Sequence, residues 1–410
     1  MKKSIMRKYA KLAVQKGVNL QKGQGAVIRA SVSEYEFAEM VAEEAYRAGA
    51  KWVRIDWNDQ AVTKLHYRHE TVTQLCRVED WEVEKAKHSL KELPCMIAIA
   101  SADPDGMKGV NPAKLQKSMI ARSKVLKPIN DQMDNKYQWT IVAVPSKAWA
   151  KKVFPGERTS TAVEKLWEEI LKAVRVSEDN DPVAEWNAHN KTLREKCETL
   201  NALDLDSLHY QSPNGTDFTC WLIPGSHWHG GSDTLKTTGV EYNPNMPSEE
   251  VFISPMRGKC EGTLVSTLPL SYQGVVIPRF SMEFQDGRAI AVHAEEHQDL
   301  LEKMISMDEN ACMLGELALV PHDSPISNSG VLFYNTLFDE NAACHVAMGS
   351  GFDETIPGFE NMSDQELLEA GVNDSIIHVD YMIGSQDLDI TGRTRDGKEV
   401  AIFRSGNWAI

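Results

Sequence analysis

A strand-like segment near the C-terminus, residues 376–382, places an imidazole and a carboxylate two residues apart. The segment reads Ile-Ile-His-Val-Asp-Tyr-Met, and alternate residues of a strand share a face, so His378 and Asp380 should point the same way. Burying these two groups among apolar neighbours is costly unless a partner satisfies them. A divalent metal ion is one such partner, because imidazole and carboxylate groups are both metal ligands.

Three further segments of the C-terminal half carry side chains of the same two types within or beside apolar runs. These side chains are Glu250, Glu316, Glu340 and His345. Each one alone is more often a cap, a surface charge or half of a salt bridge. Together with the first pair they supply two imidazoles and four carboxylates, which is what two divalent ions about 3.5–4 Å apart would need. These ligand types leave Zn, Co, Mn and Mg all open.

Two shorter histidine patterns offer alternatives. His293-Ala-Glu-Glu-His297 matches His-x-x-Glu-His, in which two imidazoles one helical turn apart can share a metal. We interpret it instead as the start of a helix over about 295–307, because its second histidine lies on an apolar stripe. His227-Trp-His229 lies between glycine-containing turns and is interpreted as a surface turn, with a role in a substrate cleft as the alternative.

The first ~150 residues alternate between helices and short apolar strands, which is the pattern of an α/β sheet domain. The predicted strands are 26–30, 52–57, 96–100 and 139–144. Ser33 and Glu36 predict a capping box, and Gly49 predicts the end of that helix. Gly23 and Gly25 suggest a dinucleotide loop, but a third glycine is absent and a strand follows, so a nucleotide site is not favoured.

A long helix over 161–176 leads into the polar, proline-marked segment 177–182, which predicts domains of residues 1–180 and 181–410. Beyond about residue 204 the pattern changes to short alternating strands with glycine turns. These include 216–221, 275–284 and 330–337. The sequence therefore predicts an α/β N-terminal domain followed by an α+β, β-rich C-terminal domain that carries the candidate metal ligands.

Composition limits the class of partner. The 410 residues carry a formal net charge of −15, which repels phosphate backbones, and no basic patch compensates for it, so no nucleic-acid partner is expected. No segment reaches the ~20 apolar residues that span a bilayer, and the basic N-terminus lacks the apolar run of a signal peptide. The seven cysteines are scattered and never form Cys-x-x-Cys. We expect reduced thiols, a cytoplasmic location and no membrane partner.

Several long motifs follow one another in a fixed order. They are Gly-Val-Asn-Leu-Gln-Lys-Gly-Gln at 17–24, Asn-Met-Pro-Ser-Glu-Glu-Val-Phe at 245–252, Leu-Gly-Glu-Leu-Ala-Leu-Val-Pro at 314–321, Asp-Glu-Asn-Ala-Ala-Cys-His at 339–345 and His-Val-Asp-Tyr-Met-Ile-Gly at 378–384. With them the chain resembles, essentially end to end, the M29 family of metallo-aminopeptidases, the group of aminopeptidase T, aminopeptidase S and PepS.

The resemblance implies the family's fold, an α/β N-terminal domain beside a β-rich catalytic domain, and a homodimer. It also implies removal of N-terminal residues from peptides with two divalent cations. It places the metal ligands at Glu250, Glu316, Glu340, His345, His378 and Asp380. Glu316 is also the implied catalytic carboxylate, which takes a proton from water and passes it to the leaving amine.

One position departs from the family pattern. The family has a catalytic tyrosine seven residues after the histidine of its Cys-His motif, and this chain has Phe352 there. The missing hydroxyl could have donated to the oxyanion, and losing one such donor typically costs ~10²–10³ in kcat. Tyr334 and Tyr381 are alternative sources of a hydroxyl. A hydrolase with weak or altered activity, or a non-catalytic dimeric binding protein, is therefore the alternative to a peptidase.

Overall fold

The computed structural model describes residues 1–133 and 135–410, which form two compact units. The first unit comprises Met1–Ala188, Ser232–Pro247 and Gln273–Val275, and the second comprises His189–Gly231, Ser248–Tyr272 and Val276–Ile410. The chain thus returns to the first unit twice. The division into residues 1–180 and 181–410, which assumed a single crossing, remains a prediction.

The first unit contains a parallel four-stranded sheet with strand order β2-β1-β3-β4. Its strands are β1 (Gly25–Ser31), β2 (Trp52–Asn58), β3 (Cys95–Ala100) and β4 (Trp139–Ala143). The helices are α1 (Lys3–Leu12), α2 (Tyr35–Ala48), α3 (Gln60–His69), α4 (Val72–Cys76), α5 (Asp80–Glu92), α6 (Pro112–Asn130), α7 (Lys147–Val153) and α8 (Thr159–Ala173). All four predicted strands are confirmed, and so is the α/β class of this half.

The local signals around helix α2 are partly confirmed. Gly49 ends the helix with a φ of 101°, a left-handed conformation that glycine adopts without a steric penalty. The predicted capping box is wrong, because Ser33 lies inside a short 3₁₀ turn, Val32–Glu34, and its hydroxyl donates to Glu34 instead. Gly25 has a packing role, since a Cβ there would collide with the ring of Trp52.

The rest of the chain is dominated by antiparallel strands, as predicted. After helix α9 (Pro182–Ala202) the strands are β5 (Leu205–Gln211), β6 (Asp217–Leu222), β7 (Asp233–Thr234), β8 (Glu241–Tyr242), β9 (Val251–Ile253), β10 (Pro255–Val265), β11 (Leu270–Tyr272), β12 (Val275–Ile277), β13 (Phe280–Gln285), β14 (Arg288–Ala294), β15 (Leu314–Leu319), β16 (His345–Gly349), β17 (His378–Met382), β18 (Asp389–Thr394), β19 (Glu399–Arg404) and β20 (Asn407–Trp408). The helices are α10 (Gln298–Ile305), α11 (Pro325–Ser329), α12 (Thr336–Asp339) and α13 (Asp364–Ala370).

Two sheets organise the second unit. The larger has eight strands in the order β14-β13-β10-β6-β5-β18-β19-β20. The smaller, called here the site sheet, has the order β17-β16-β15-β9, with every neighbouring pair antiparallel. One hydrophobic core cluster includes residues of both sheets, among them Phe218, Tyr210 and Leu317.

The predicted strand over 330–337 is wrong. The segment is irregular and ends in helix α12, because the buried carboxylate of Asp339 accepts hydrogen bonds from the backbone N–H groups of Phe333 (2.8 Å) and Asn335 (3.0 Å). Tyr334 between them has a φ of 55°, which no strand allows. Burial raises the pKa of Asp339 to about 7 even though these N–H groups lower it. The predicted strand over 275–284 is two strands, β12 and β13.

No helix in the described part of the chain is long and apolar enough to cross a bilayer. All seven cysteines are free thiols, and only Cys76 among them is not buried.

Candidate metal centre

The two faces of the site sheet differ in character. One face packs into the core through Val251, Ile253, Leu317, Leu319, Val346, Met348 and Tyr381. The residues that alternate with these point to the other face. There Glu316 lies opposite Ala347, which in turn lies opposite Asp380, and His378 lies opposite Gly349. His345 lies opposite Ala318. This face therefore carries the predicted ligands, with small residues between them.

Glu316 reaches this face because of a bulge at Gly315. Leu314 pairs with Met348, and Glu316 pairs with Ala347, the adjacent residue of the antiparallel strand β16. A step of two residues along β15 thus matches a step of one along β16. Leu314 therefore lies in the core and Glu316 on the opposite face, although strict alternation would put both on one face. Only glycine fits at 315, since a Cβ there would collide with the backbone carbonyl of Ser350. Sequence periodicity alone does not reveal this bulge.

His345 and Glu250 form the first part of the site. The Nε2 atom of His345 lies 3.3 Å from Glu250 Oε2, and both side chains are buried. The Nδ1–H of His345 donates to the Ala343 carbonyl (3.1 Å), so in the neutral ring Nε2 presents its lone pair to the site. Burial alone would lower the pKa of His345, but the nearby carboxylates, Glu250 foremost, raise it to about 10.

His378 and Asp380 form the second part. The Nε2 atom of His378 lies 3.3 Å from Asp380 Oδ1 and 3.2 Å from Glu316 Oε2. Its Nδ1–H donates to the Ser350 carbonyl (2.8 Å), so this ring is oriented in the same way as that of His345. Strand alternation therefore predicted this pair correctly.

Glu316 joins the two parts. Its Oε2 faces His378, and its Oε1 lies 4.0 Å from His345 Nε2. The ligand atoms of Glu250, Glu316 and His345 lie within 4.8 Å of one another, and so do those of Glu316, His378 and Asp380. Burial is the main cause that raises the pKa of Glu316 above its usual value.

Glu340, the sixth predicted ligand, lies beside these two groups rather than in either of them. It precedes strand β16, and Asn341 Nδ2 donates to its Oε1 at 3.4 Å. Burial, followed by the charges of Asp380 and Glu250, raises the pKa of Glu340 well above its usual value. Glu340 therefore interacts with the same cluster, although it belongs to neither group.

The residues fit divalent cations. The Oδ1 atom of Asp380 is buried and accepts no hydrogen bond within the described residues. It cannot accept one from neutral His378, whose remaining ring proton goes to Ser350. When both imidazoles are neutral, as metal binding requires, four carboxylates face two imidazole lone pairs, and a cation satisfies both.

The other predicted sites are not assembled. His293 lies on strand β14 and bonds to Glu283 (3.1 Å), whereas His297 has a φ of 60° and precedes helix α10. The two imidazoles are therefore not one helical turn apart, and the predicted helix over 295–307 is shorter, Gln298–Ile305, because the strand continues to residue 294. His229 pairs its backbone with Phe252, so this segment is not a plain surface turn.

The tyrosines considered as replacement donors differ in position. Tyr381 lies on the core face of β17, is fully buried and packs against Phe280 with ring centroids 5.2 Å apart. It therefore cannot donate to a substrate on the opposite face. Tyr334 is half-buried in the loop whose backbone N–H groups bond to the Asp339 carboxylate. Asp339 is the residue directly before Glu340. Phe352 lies at the site itself, with its ring centroid 5.1 Å from that of His378.

A sheet face with two oriented imidazoles and a shared buried carboxylate has the groups of a metal centre. Residues 2–408 match the thermophilic metalloprotease (M29) family, and the chain belongs to this family. It is 43% identical over 403 residues to aminopeptidase AmpS of Bacillus subtilis (strain 168), covering 98% of each chain. It is 36% identical over 412 residues to aminopeptidase T of Thermus thermophilus, covering 100% of this chain and 99% of that protein. The structure of wild-type AmpT from Thermus thermophilus superposes with a TM-score of 0.91 at 35% identity, covering 100% of both chains.

Proposed function

We propose that this chain is an aminopeptidase that releases N-terminal residues from peptides with two divalent cations. The observation that carries the proposal is the position of Glu316, whose two carboxylate oxygens face two different histidines. A carboxylate shared in this way suits two cations better than one. The named activity of the relatives supports the choice of peptides as substrates.

The ligands fall into two sets. Glu250, Glu316 and His345 would hold one cation, and Glu316, His378 and Asp380 would hold the other, with Glu340 beside both. When bound, the cations supply a Lewis acid for the scissile carbonyl and lower the pKa of the attacking water.

The chain's own groups account for the proton transfers. Glu316 also accepts a proton from the attacking water and passes it to the leaving amine. The Ser350 and Ala343 carbonyls fix both imidazoles in one tautomer, so the ligand atoms need no rearrangement. The free amine of the substrate would be held by these carboxylates or by one of the cations, which favours cleavage from the N-terminus.

The alternative of weak or altered hydrolysis rests on Phe352. Its ring lies against His378 and carries no hydroxyl, so one expected oxyanion donor is missing. A non-catalytic, dimeric metal-binding protein is the remaining alternative.

Turnover of amino-acid p-nitroanilides with and without chelator separates these functions. We expect hydrolysis that EDTA abolishes, restoration by Zn, Co, Mn or Mg, and two ions per chain by elemental analysis. One ion per chain at full activity would contradict the two-cation site. Bound metal without turnover of anilides or dipeptides would favour the binding protein.

Two wider expectations belong to the same proposal. The homodimer implied by the family resemblance predicts a mass near twice 45.9 kDa by sedimentation equilibrium. The cytoplasmic location predicts co-fractionation with reduced cytoplasmic proteins, in keeping with the free thiols.

A further inference from the structure

Four aromatic rings form a continuous row that starts at the metal centre. The ring of Phe352 lies 5.1 Å from that of His378 and 4.9 Å from that of Phe252, measured between centroids. The row continues to His229, 6.2 Å from Phe252. The three rings beyond His378, those of Phe352, Phe252 and His229, are half-buried, and we call them the aromatic row. The two phenylalanine rings of the row form an apolar surface that remains in part accessible.

The backbone holds this row firmly. Phe352 N–H donates to Ser254 Oγ (2.7 Å), and the Ser254 hydroxyl is also 3.1 Å from the Phe352 carbonyl oxygen. Phe252 belongs to strand β9 and exchanges two backbone hydrogen bonds with His229, of 2.7 and 2.9 Å. Rings fixed in this way lose little conformational entropy when a ligand packs against them.

The central ring of the aromatic row, that of Phe252, lies on the same face of the site sheet as the candidate metal ligands. Val251 and Ile253 point into the core, so Phe252 between them lies on the face of the candidate ligands, where it pairs with Ala318, the residue opposite His345. Glu250, just before the strand, contacts His345. The amine and the side chain of an amino acid leave the same carbon atom. An N-terminal residue whose amine is held beside Glu250 therefore has its side chain within reach of the ring of Phe252.

We propose that Phe352, Phe252 and His229 form the subsite for the side chain of the substrate's N-terminal residue, and that this subsite selects large apolar and aromatic side chains. The proposal rests on the aminopeptidase function above. It gives Phe352 a binding role: without a hydroxyl, its ring presents an unbroken apolar face between the metal ligand and Phe252.

The test measures selectivity in the Zn-loaded enzyme. The substrates are phenylalanyl-alanine, alanyl-phenylalanine and alanyl-alanine, and the variants are Phe252→Ala and the milder Phe252→Leu. We expect the ratio of kcat/KM for phenylalanyl-alanine over alanyl-alanine to fall by ~10-fold or more in Phe252→Ala and less in Phe252→Leu, because apolar contacts discriminate by about this factor. Ile290→Ala, which trims an exposed apolar residue on β14, should leave the ratio unchanged.

A second readout does not depend on turnover. Calorimetric titration with the products L-phenylalanine and L-alanine should show ~10-fold tighter binding of phenylalanine, and Phe252→Ala should remove that preference.

The outcomes separate the two levels of inference. If the wild type hydrolyses no dipeptide, the aminopeptidase function fails while the titration still decides whether the row binds apolar side chains. If all dipeptides are cleaved and Phe252→Ala lowers every kcat/KM equally, the subsite is wrong and the function stands. A loss confined to alanyl-phenylalanine would assign the row to the second residue and overturn the proposal. Phe252→Leu keeps the test valid should Phe252→Ala fail to fold.

Discussion

The parallel sheet of the first unit and the site sheet of the second each have four strands, but their interior strands bury different groups. In the parallel sheet the charged side chain of the interior strands β1 and β3 is Arg29, which points to solvent, and the buried thiol of Cys95 stays uncharged because burial raises its pKa to about 12. In the site sheet the interior strands β15 and β16 carry Glu316 and His345, which are 4% and 1% exposed. Two sheets of equal size thus differ in that the site sheet buries a carboxylate and an imidazole on its interior strands.

The partners of the buried groups explain the difference. In the described part of the chain, the ion-pair partners of Glu250, Glu316 and Asp380 are imidazoles, with no Lys or Arg among them. A buried carboxylate kept for stability is usually paired with a permanent cation. Changes in the site sheet should therefore alter catalysis with the fold intact, and changes in the first unit should alter stability with catalysis intact.

The largest effect is expected from Glu316→Gln. Glutamine keeps the shape of the side chain but accepts no proton and binds cations weakly, so kcat on amino-acid anilides should fall at least ~10²-fold at saturating metal. The circular dichroism spectrum should be unchanged, because the register of β15 does not depend on the charge.

The matched control for this variant is Glu283→Gln. Glu283 is also a strand carboxylate bonded to a histidine, His293, but it is exposed on the larger sheet. Its kcat should equal that of the wild type. If Glu316→Gln retained full turnover with bound metal, the catalytic carboxylate would lie elsewhere.

Phe352→Tyr should have the next largest effect and the opposite sign. A hydroxyl beside His378 can donate to the oxyanion, so kcat on peptides should rise about tenfold with a smaller change in KM. Overpacking could instead cost ~1–3 kcal/mol of stability, which a thermal melt of the same preparation detects. Phe154→Tyr in the first unit is the control for adding a hydroxyl. If the Phe352→Tyr protein is stable and metal-loaded but its kcat is no higher than that of the wild type, the missing hydroxyl does not limit turnover.

Burial cost and alternation predicted from the sequence that Glu250, Glu316, His345, His378 and Asp380 lie close together, as the structure shows, and their role as metal ligands stays a prediction. His378 and Asp380 share a face because their strand is regular. Glu316 could be recognised because a lone carboxylate inside an apolar run must be satisfied by something. The α/β half could be predicted because its strands are short apolar runs between clear helix signals.

What the sequence could not predict depends on contacts between distant segments. The bulge at Gly315 exists because its Cα approaches the carbonyl of Ser350, thirty-five residues later in the chain. The loop at 330–335 is irregular because the Asp339 carboxylate competes for its backbone N–H groups. The aromatic row forms through pairing of Phe252 with His229, which no local pattern indicates.

Asp308→Asn should disturb the site sheet without removing a candidate metal ligand. The Asp308 carboxylate accepts from Ile376 N–H (2.8 Å), the Ser375 hydroxyl (2.7 Å) and Ala311 N–H (2.8 Å), so it ties the segments before β15 and β17 together. We expect a loss towards the lower end of ~1–3 kcal/mol, since the group is only partly buried, with a modest fall in kcat. Chemical denaturation and steady-state kinetics at pH 7 measure both, with the exposed neighbour Asp374→Asn as control.

The pH dependence of this loss follows from the pKa of Asp308. Burial acts to raise that pKa, but the hydrogen bonds from Ile376, Ser375 and others lower it below its usual value. A depressed pKa stabilises the fold above the unfolded value of about 3.9, and the stabilisation is lost as the pH falls through the folded value. The difference between wild type and variant should therefore shrink below about pH 4. A difference independent of pH would rule out the carboxylate's charge as its cause.

Tyr9→Phe is expected to leave turnover unchanged and to destabilise the first unit alone. The buried Tyr9 hydroxyl donates to the Ala143 carbonyl oxygen (3.2 Å) and accepts from the Ala143 N–H (3.1 Å), on the edge strand of the parallel sheet. Phenylalanine leaves both backbone groups buried without that partner, at a cost of ~1–3 kcal/mol. A unit of this size should then melt several degrees lower. Tyr35→Phe, which removes a hydroxyl at an exposed site of helix α2, is the matched control and should melt like the wild type. Should Tyr9→Phe lower kcat at a temperature where it is fully folded, catalysis would depend on the parallel sheet, and the separation of roles between the two sheets would be wrong.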